Sequence, residues 1–394
     1  AQPTNELAES LLKGFSQFDT PQNWADFDAF MKAKVFGGKF KGKGQTSVLL
    51  KEWNKMIRDS YLSSPSTTMT ALVGTTGNLY LNSFNELIGA LAGSIGSRSL
   101  KEARISAAKT KVLLESIPEA WKVFWKQLDS NMNADIRTLQ NRFRDFEPLV
   151  EDVDSLIAKA WAADPRQNTP GAQAAVNLYA MQRYLTNNKW TTSGSRTLTT
   201  VDEVATHLMA RGRAKELAFE TALSEVGDDF GKVTPEVLQR AEEIHFNSLL
   251  DENGNIDARK DQFLQSQVKK VTLQQELGQL GQGLQKVFDL NPLMQPWFMF
   301  ARTGINSVKL SLENTPLLTA TLSETRDILS HTGNDFSLLQ KFGINNKPDL
   351  IRRRNLIRGQ QATAAIVMTT MFAKYAAGEL TGSGPVDESL RQQR

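Results

Sequence analysis

The sequence predicts a mainly α chain: an elongated multi-helix assembly of amphipathic and small-residue helices, with one small β-hairpin near residues 189–200. Three observations carry that reading. Apolar residues recur at steps of three and four through most of the chain, the period of a buried helix face. Capping residues and prolines punctuate the periodic stretches, as in Asn291-Pro292, Thr234-Pro235 and Ser116 followed by Pro118. The best strand signal is KWTTSGSRTLTT, whose Thr-rich arms flank Ser193-Gly194.

Composition bounds what such a chain can do. Its 394 residues can bury at least one sizeable core. There is no cysteine, so disulfides and thiolate metal sites are excluded. His207, His245 and His331 stand far apart and in no ligand spacing, which argues against a histidine metal site. A formal net charge of +3 is too small to mark a nucleic-acid binder by global charge. The first residues, AQPTNELAES, lack the basic and apolar regions of a secretory signal, and with no initial methionine the chain reads as processed or as part of a longer one.

Breaks in the pattern suggest three consecutive modules, 1–165, 171–288 and 289–394, with DPRQNTPG as the clearest boundary. In the first, Leu7 to Val35 reads as two short amphipathic helices around Asp19-Thr20-Pro21. FGGKFKGKGQT follows, and Gly37, Gly42 and Lys43 fit the phosphate-loop spacing. Gly44 stands where the metal-binding hydroxyl belongs and no strand precedes it, so a solvated turn is the expectation. Residues 48–62 return to helix.

Residues 61–97 form a small-residue segment in which Glu86 is the one acid. Gly89, Gly93 and Gly96 recur at four- and three-residue steps, which permits close helix packing in protein or in lipid. Thr, Ser, Asn and Gly interrupt the run too often for a constitutive membrane span. Beyond it, Trp121, Phe124, Trp125 and Leu128 recur at helical spacing as a core stripe. Five carboxylates between Phe143 and Asp154 suit a solvated helix face.

In the middle module, helix is expected from Val201 to Glu225 and again after Thr234-Pro235-Glu236. The latter would present Val237, Leu238, Ala241, Ile244 and His245 on one face. Asp251 to Asp257 is a tight turn at Asn253-Gly254; an EF-hand is rejected because Ile256 and Gln262 occupy the places of its glycine and glutamate. A long Gln-rich helix over 258–288 follows.

The last module contains the strongest helix signal, Asn291 to Leu318. Phe298, Ala301, Ile305, Val308 and Leu312 form its expected assembly or core face, with Arg302 and Asn306 on its polar side. Arg352, Arg353, Arg354 and Arg358 then gather as a cationic cluster before an apolar helix bearing Ile366, Met368 and Phe372, in which Lys374 is the one charge. A cation cluster beside an apolar helix suits a packing face, anionic lipid headgroups or nucleic-acid phosphate.

The stretch PWFMFARTGINSVKLSLENTPL resembles a motif of very large bacteriophage virion proteins, an aromatic-Arg-Thr-x-x-Asn core followed by Thr-Pro. YLSSPSTTMTALVGTTGNL and AAGELTGSGP are similar to two further segments of that family. Gly304 departs from its Arg-Thr-Pro version, and Trp297 to Phe300 from its Pro-Phe. Together the three resemble the C-terminal-type helical region of the internal virion, or DNA-ejection, proteins of short-tailed phages. The resemblance implies a structural protein stored in the capsid interior or tail. After ejection into the host periplasm or envelope it would form a homo-oligomeric conduit with other ejection, tail or portal proteins, in contact with the host membrane and passing DNA through its lumen.

No enzyme activity and no cofactor are expected of this segment. G-x-S-x-G, H-E-x-x-H and the dinucleotide fingerprint are all missing. Two alternatives stay open: a non-catalytic helical adaptor region of a larger virion polymerase or transglycosylase, and an independent nucleic-acid-binding helical protein.

Overall fold

A computed structural model describes residues 65–97, 99–134, 192–275, 301–315 and 318–377. Phe298, the Gly-rich loop 36–46, the acidic run 143–154 and the start of the hairpin motif lie outside them. The fold is mainly α, and among the described residues there is no strand; Leu250 and Ile256 form an isolated antiparallel bridge. The helices are α1 (Pro65–Ser97), α2 (Lys101–Glu115), α3 (Ile117–Asn133), α4 (Ser193–Glu225), α5 (Pro235–Ser248), α6 (Gln262–Val271), α7 (Ala301–Glu313), α8 (Ser323–Ser330) and α9 (Lys347–Ala376).

The chain divides into two compact units, and each takes segments from along its length. One comprises Ala1–Val73, Val123–Asp202 and Leu277–Arg302; the other comprises Gly74–Lys122, Glu203–Glu276 and Thr303–Arg394. The contacts therefore do not follow the three consecutive modules expected from sequence breaks.

The expected β-hairpin is instead the start of α4, from Ser193 onward. Its threonines are satisfied along the helix: Thr197 donates to the Ser193 carbonyl at 2.8 Å and Thr200 to that of Arg196 at 2.9 Å. Arg196 donates to the Asn131 and Ala134 carbonyls at the end of α3, supplying partners that a helix C-terminus lacks. Tertiary hydrogen bonding thus overrides the strand preference of threonine.

Capping chemistry fixes three other starts. Thr234 accepts from the Val237 N–H before α5, Asp261 from Leu264 before α6, and Asn346 from Asp349 before α9. Asp251 accepts from the N–H groups of Asn253 and Asn255 while Gly254 takes φ 77°, which makes the tight turn. The long helix expected over 258–288 breaks early: α6 ends at Val271, and Leu273 takes φ 58°.

The second unit packs in three apolar groups. Leu79, Leu113, Ala120, Ala205 and Leu208 bring together α1, α2, α3 and α4. Ala210 and Ala214 meet Phe246, Leu249 and Leu264. Phe263, Ile328, Leu339, Ile344, Leu350 and Ile357 join α6, α8 and α9. On α4, Ala210, Ala214, Ala218 and Ala222 are buried at four-residue steps, and such small side chains let neighbouring backbones come close.

Candidate functional site

Small residues also set the crossing of α1 and α9. A Cβ added to Gly89 would fall inside the Asn355 carbonyl, and one added to Gly359 inside that of Asn85. Thr363 hydrogen-bonds the Asn85 side chain at 2.7 Å on the same line. Gly93 approaches Asn355 and Arg358 more loosely, and Gly96 lies in the last turn of α1. Gly89 is therefore a helix-packing glycine whose partner is α9 of the same unit.

Beside that crossing, charged side chains meet in the interior. Lys109 of α2 pairs with Glu86 of α1 and with Glu216 of α4, each at 2.7 Å. Arg213 pairs with Asp261 and Asp349 at 2.8 Å each and lies over the Phe263 ring. Arg352 of α9 meets Glu220, with Asp349 at 3.4 Å and Glu216 at 3.7 Å. Taking three cations and several carboxylates out of water is costly, and only mutual pairing with added hydrogen bonds offsets it.

The titration of the group reflects its crowding. Burial raises Glu86, with Lys109 opposing, and burial likewise raises Glu220 and Asp349. For Glu216 burial acts upward too, but Lys109, Arg352 and Arg213 outweigh it and hold the carboxyl at about 2. Lys109 is raised because Glu216 and Glu86 overcome its desolvation. The cluster is thus a clasp of fixed charges joining four helices.

A second clasp ties α6, α7, α8 and α9. Lys270 pairs with Glu313, Arg353 with Glu324, and Lys309 with Glu324 at 2.7 Å. Asn306 donates to the Leu273 and Gln275 carbonyls at 2.7 and 3.0 Å, holding the chain that leaves α6.

The residues singled out on α7 and α9 lie in different surroundings. On α7 the buried positions are Asn306 and Glu313; Ile305 and Leu312 are half-buried, and Val308 is 61% exposed. The packed side is polar because it answers carbonyls and ions, and Val308 of the expected assembly or core face lies outside it. Ala301 and Arg302 open α7. Within the arginine cluster, Arg352 and Arg353 are each 1% exposed inside the clasps. Arg354 donates to the Ile328 and His331 carbonyls, and Arg358 remains exposed.

Apolar residues lie outside instead. On α9 every residue from 365 to 377 is exposed, among them Ile366, Met368, Met371 and Phe372, the last at 72%. Trp121 and Trp125 of α3, expected in the core, are also more than half exposed. Among the described residues no helix is long and apolar enough to cross a membrane. Nor does any cluster of His, Asp and Glu among them suit a metal ion.

Sequence reasoning missed the clasps by reading charge as surface. A signal was present: Arg213, Glu216 and Glu220 fall at three- and four-residue steps on the helix whose alanines are buried, and Asp349 and Arg352 repeat the spacing on α9. No protein-family profile, no curated protein sequence and no solved structure matches the chain.

Proposed function

We propose that this chain is a structural virion protein of the DNA-ejection type, which helps to build an oligomeric conduit in the host envelope. The observation that carries the reading is the exposed, apolar end of α9, residues 365–377, rooted in a half-helix that two ion clasps hold in place. Apolar side chains exposed along a helix are stable when another surface covers them. Copies of the same chain are the proposed cover, with other ejection or tail proteins beside them, and the resemblance of three sequence stretches to internal virion proteins supports the same assignment. The chain would be stored in the capsid interior or tail and act in the periplasm or envelope after infection.

Binding of DNA through Arg352 and Arg353 is disfavoured, since both guanidiniums are buried against carboxylates. Electron microscopy of the purified chain with liposomes tests the proposal. Rings or tubes in the membrane are the expected result; a monomer that persists with and without liposomes would contradict it and favour a tethering role.

A further inference from the structure

A cavity of about 40 Å³ lies in the second unit, bordered by α1, α2, α4 and α6. Leu79, Leu113, Met209 and Val271 form much of its apolar wall; Asn82, Glu86, Lys109 and Glu216 are prominent on its polar side. The ions there are already paired, since Lys109 bridges Glu86 and Glu216 at 2.7 Å each. Asn82 is not. It is 8% exposed, and among the described residues neither its Oδ1 nor its Nδ2 has a hydrogen-bond partner. A buried carboxamide in that condition is destabilising, and native proteins satisfy such groups with ordered water where there is room.

The charges decide the kind of guest. Glu86 and Glu216 are balanced around the cavity by Lys109 and Arg213, so neither an anion nor a cation gains net attraction. The guest must be neutral, small, and able both to donate to Oδ1 and to accept from Nδ2. At roughly 10–15 Å³ of this space per molecule, about three waters fit. We propose that the cavity is a binding site for a water cluster anchored on the Asn82 carboxamide and running to the Glu86–Lys109–Glu216 ion pairs.

Magnetic relaxation dispersion of solvent oxygen and deuterium on the full chain, beside Asn82→Leu, tests the site. The variant is expected to lose about three long-lived waters with its helical circular dichroism unchanged; an equal count in the two proteins overturns the proposal. A second readout needs no variant. Water-to-methyl cross-relaxation at Met209, without a shift on adding xenon, is expected, because xenon enters dry apolar cavities. A saturable xenon shift at Met209 with no water signal overturns the proposal even where Asn82→Leu fails to fold.

Discussion

The two halves of α9 reverse the usual relation between polarity and burial. The first half carries Asp349, Arg352, Arg353, Asn355 and Gln360, and all five are buried. The second carries Ile366, Met368, Met371 and Phe372, and all four are exposed. Charge goes inward because neighbouring helices present carboxylates to each buried guanidinium, so desolvation is matched by pairing. Apolar surface stays outward because no described residue covers it. The contrast separates two properties that sequence polarity alone confuses: the charged half fixes the helix in its unit, and the apolar half is the surface that we propose for assembly.

Breaking the charged half should have the largest effect. Arg352→Met leaves Glu216, Glu220 and Asp349 short of a buried partner and is expected to cost about 3–5 kcal/mol in urea unfolding. A loss below about 0.5 kcal/mol, the range of ordinary surface substitutions, would show that the clasp does not hold the helix.

Acid should act on the same clasp with a defined sign. The folded-state pKa of Glu216 is about 2 against an ordinary 4.5, so its stabilisation is present above 4.5 and is lost as pH falls toward 2. That loss is on the order of 3 kcal/mol. Glu324 adds to it, because Arg353, Lys270 and Lys309 outweigh burial and hold it well below the usual carboxylate range. Glu86, Glu220 and Asp349, raised by burial, act oppositely: stability grows as they take up protons on the way down from neutral pH. His207, lowered by burial, loses stabilisation as pH falls below 6.5 and so offsets part of that gain. Chemical unfolding followed across pH should therefore show little change near pH 6 and a steep decline below 4.5. Replacing Glu216 by Gln should flatten the decline.

The glycine crossing offers a purely steric contrast. Gly359→Ala places a methyl against the Asn85 backbone and should cost roughly 1–3 kcal/mol by overpacking. Gly93→Ala, whose nearest neighbours are side-chain atoms of Arg358 and Asn355, should cost less. Thermal melts of the pair would test the order. The smallest effect belongs to the apolar half: Phe372→Ser should leave unfolding free energy within about 0.5 kcal/mol while weakening self-association in light scattering.

How much of this was legible in the sequence follows from the kind of signal each element carries. The start at Pro235 was readable because Thr234 caps through its own side chain, a local interaction. The packing of Gly89 was readable as a small-residue step, although its partner Gly359, 270 positions away, was not. The start of α4 was misread because its threonines are satisfied by helix carbonyls and by Asn131, and the latter is a tertiary contact. The burial of Asn306 on α7 was not legible for the same reason, since it answers carbonyls left bare where α6 ends. Buried charge was least legible: nothing near Arg352 in sequence announces Glu216 or Glu220.

The most direct test of the assembly role is sedimentation velocity across a concentration series, comparing the chain with its Ile366→Ser, Met368→Ser, Phe372→Ser triple variant. The chain is expected to form discrete oligomers, and the variant to stay monomeric with the same helical content and unfolding midpoint. A wild-type chain that remains monomeric throughout, or a variant that assembles equally well, would contradict the role given to the apolar half of α9.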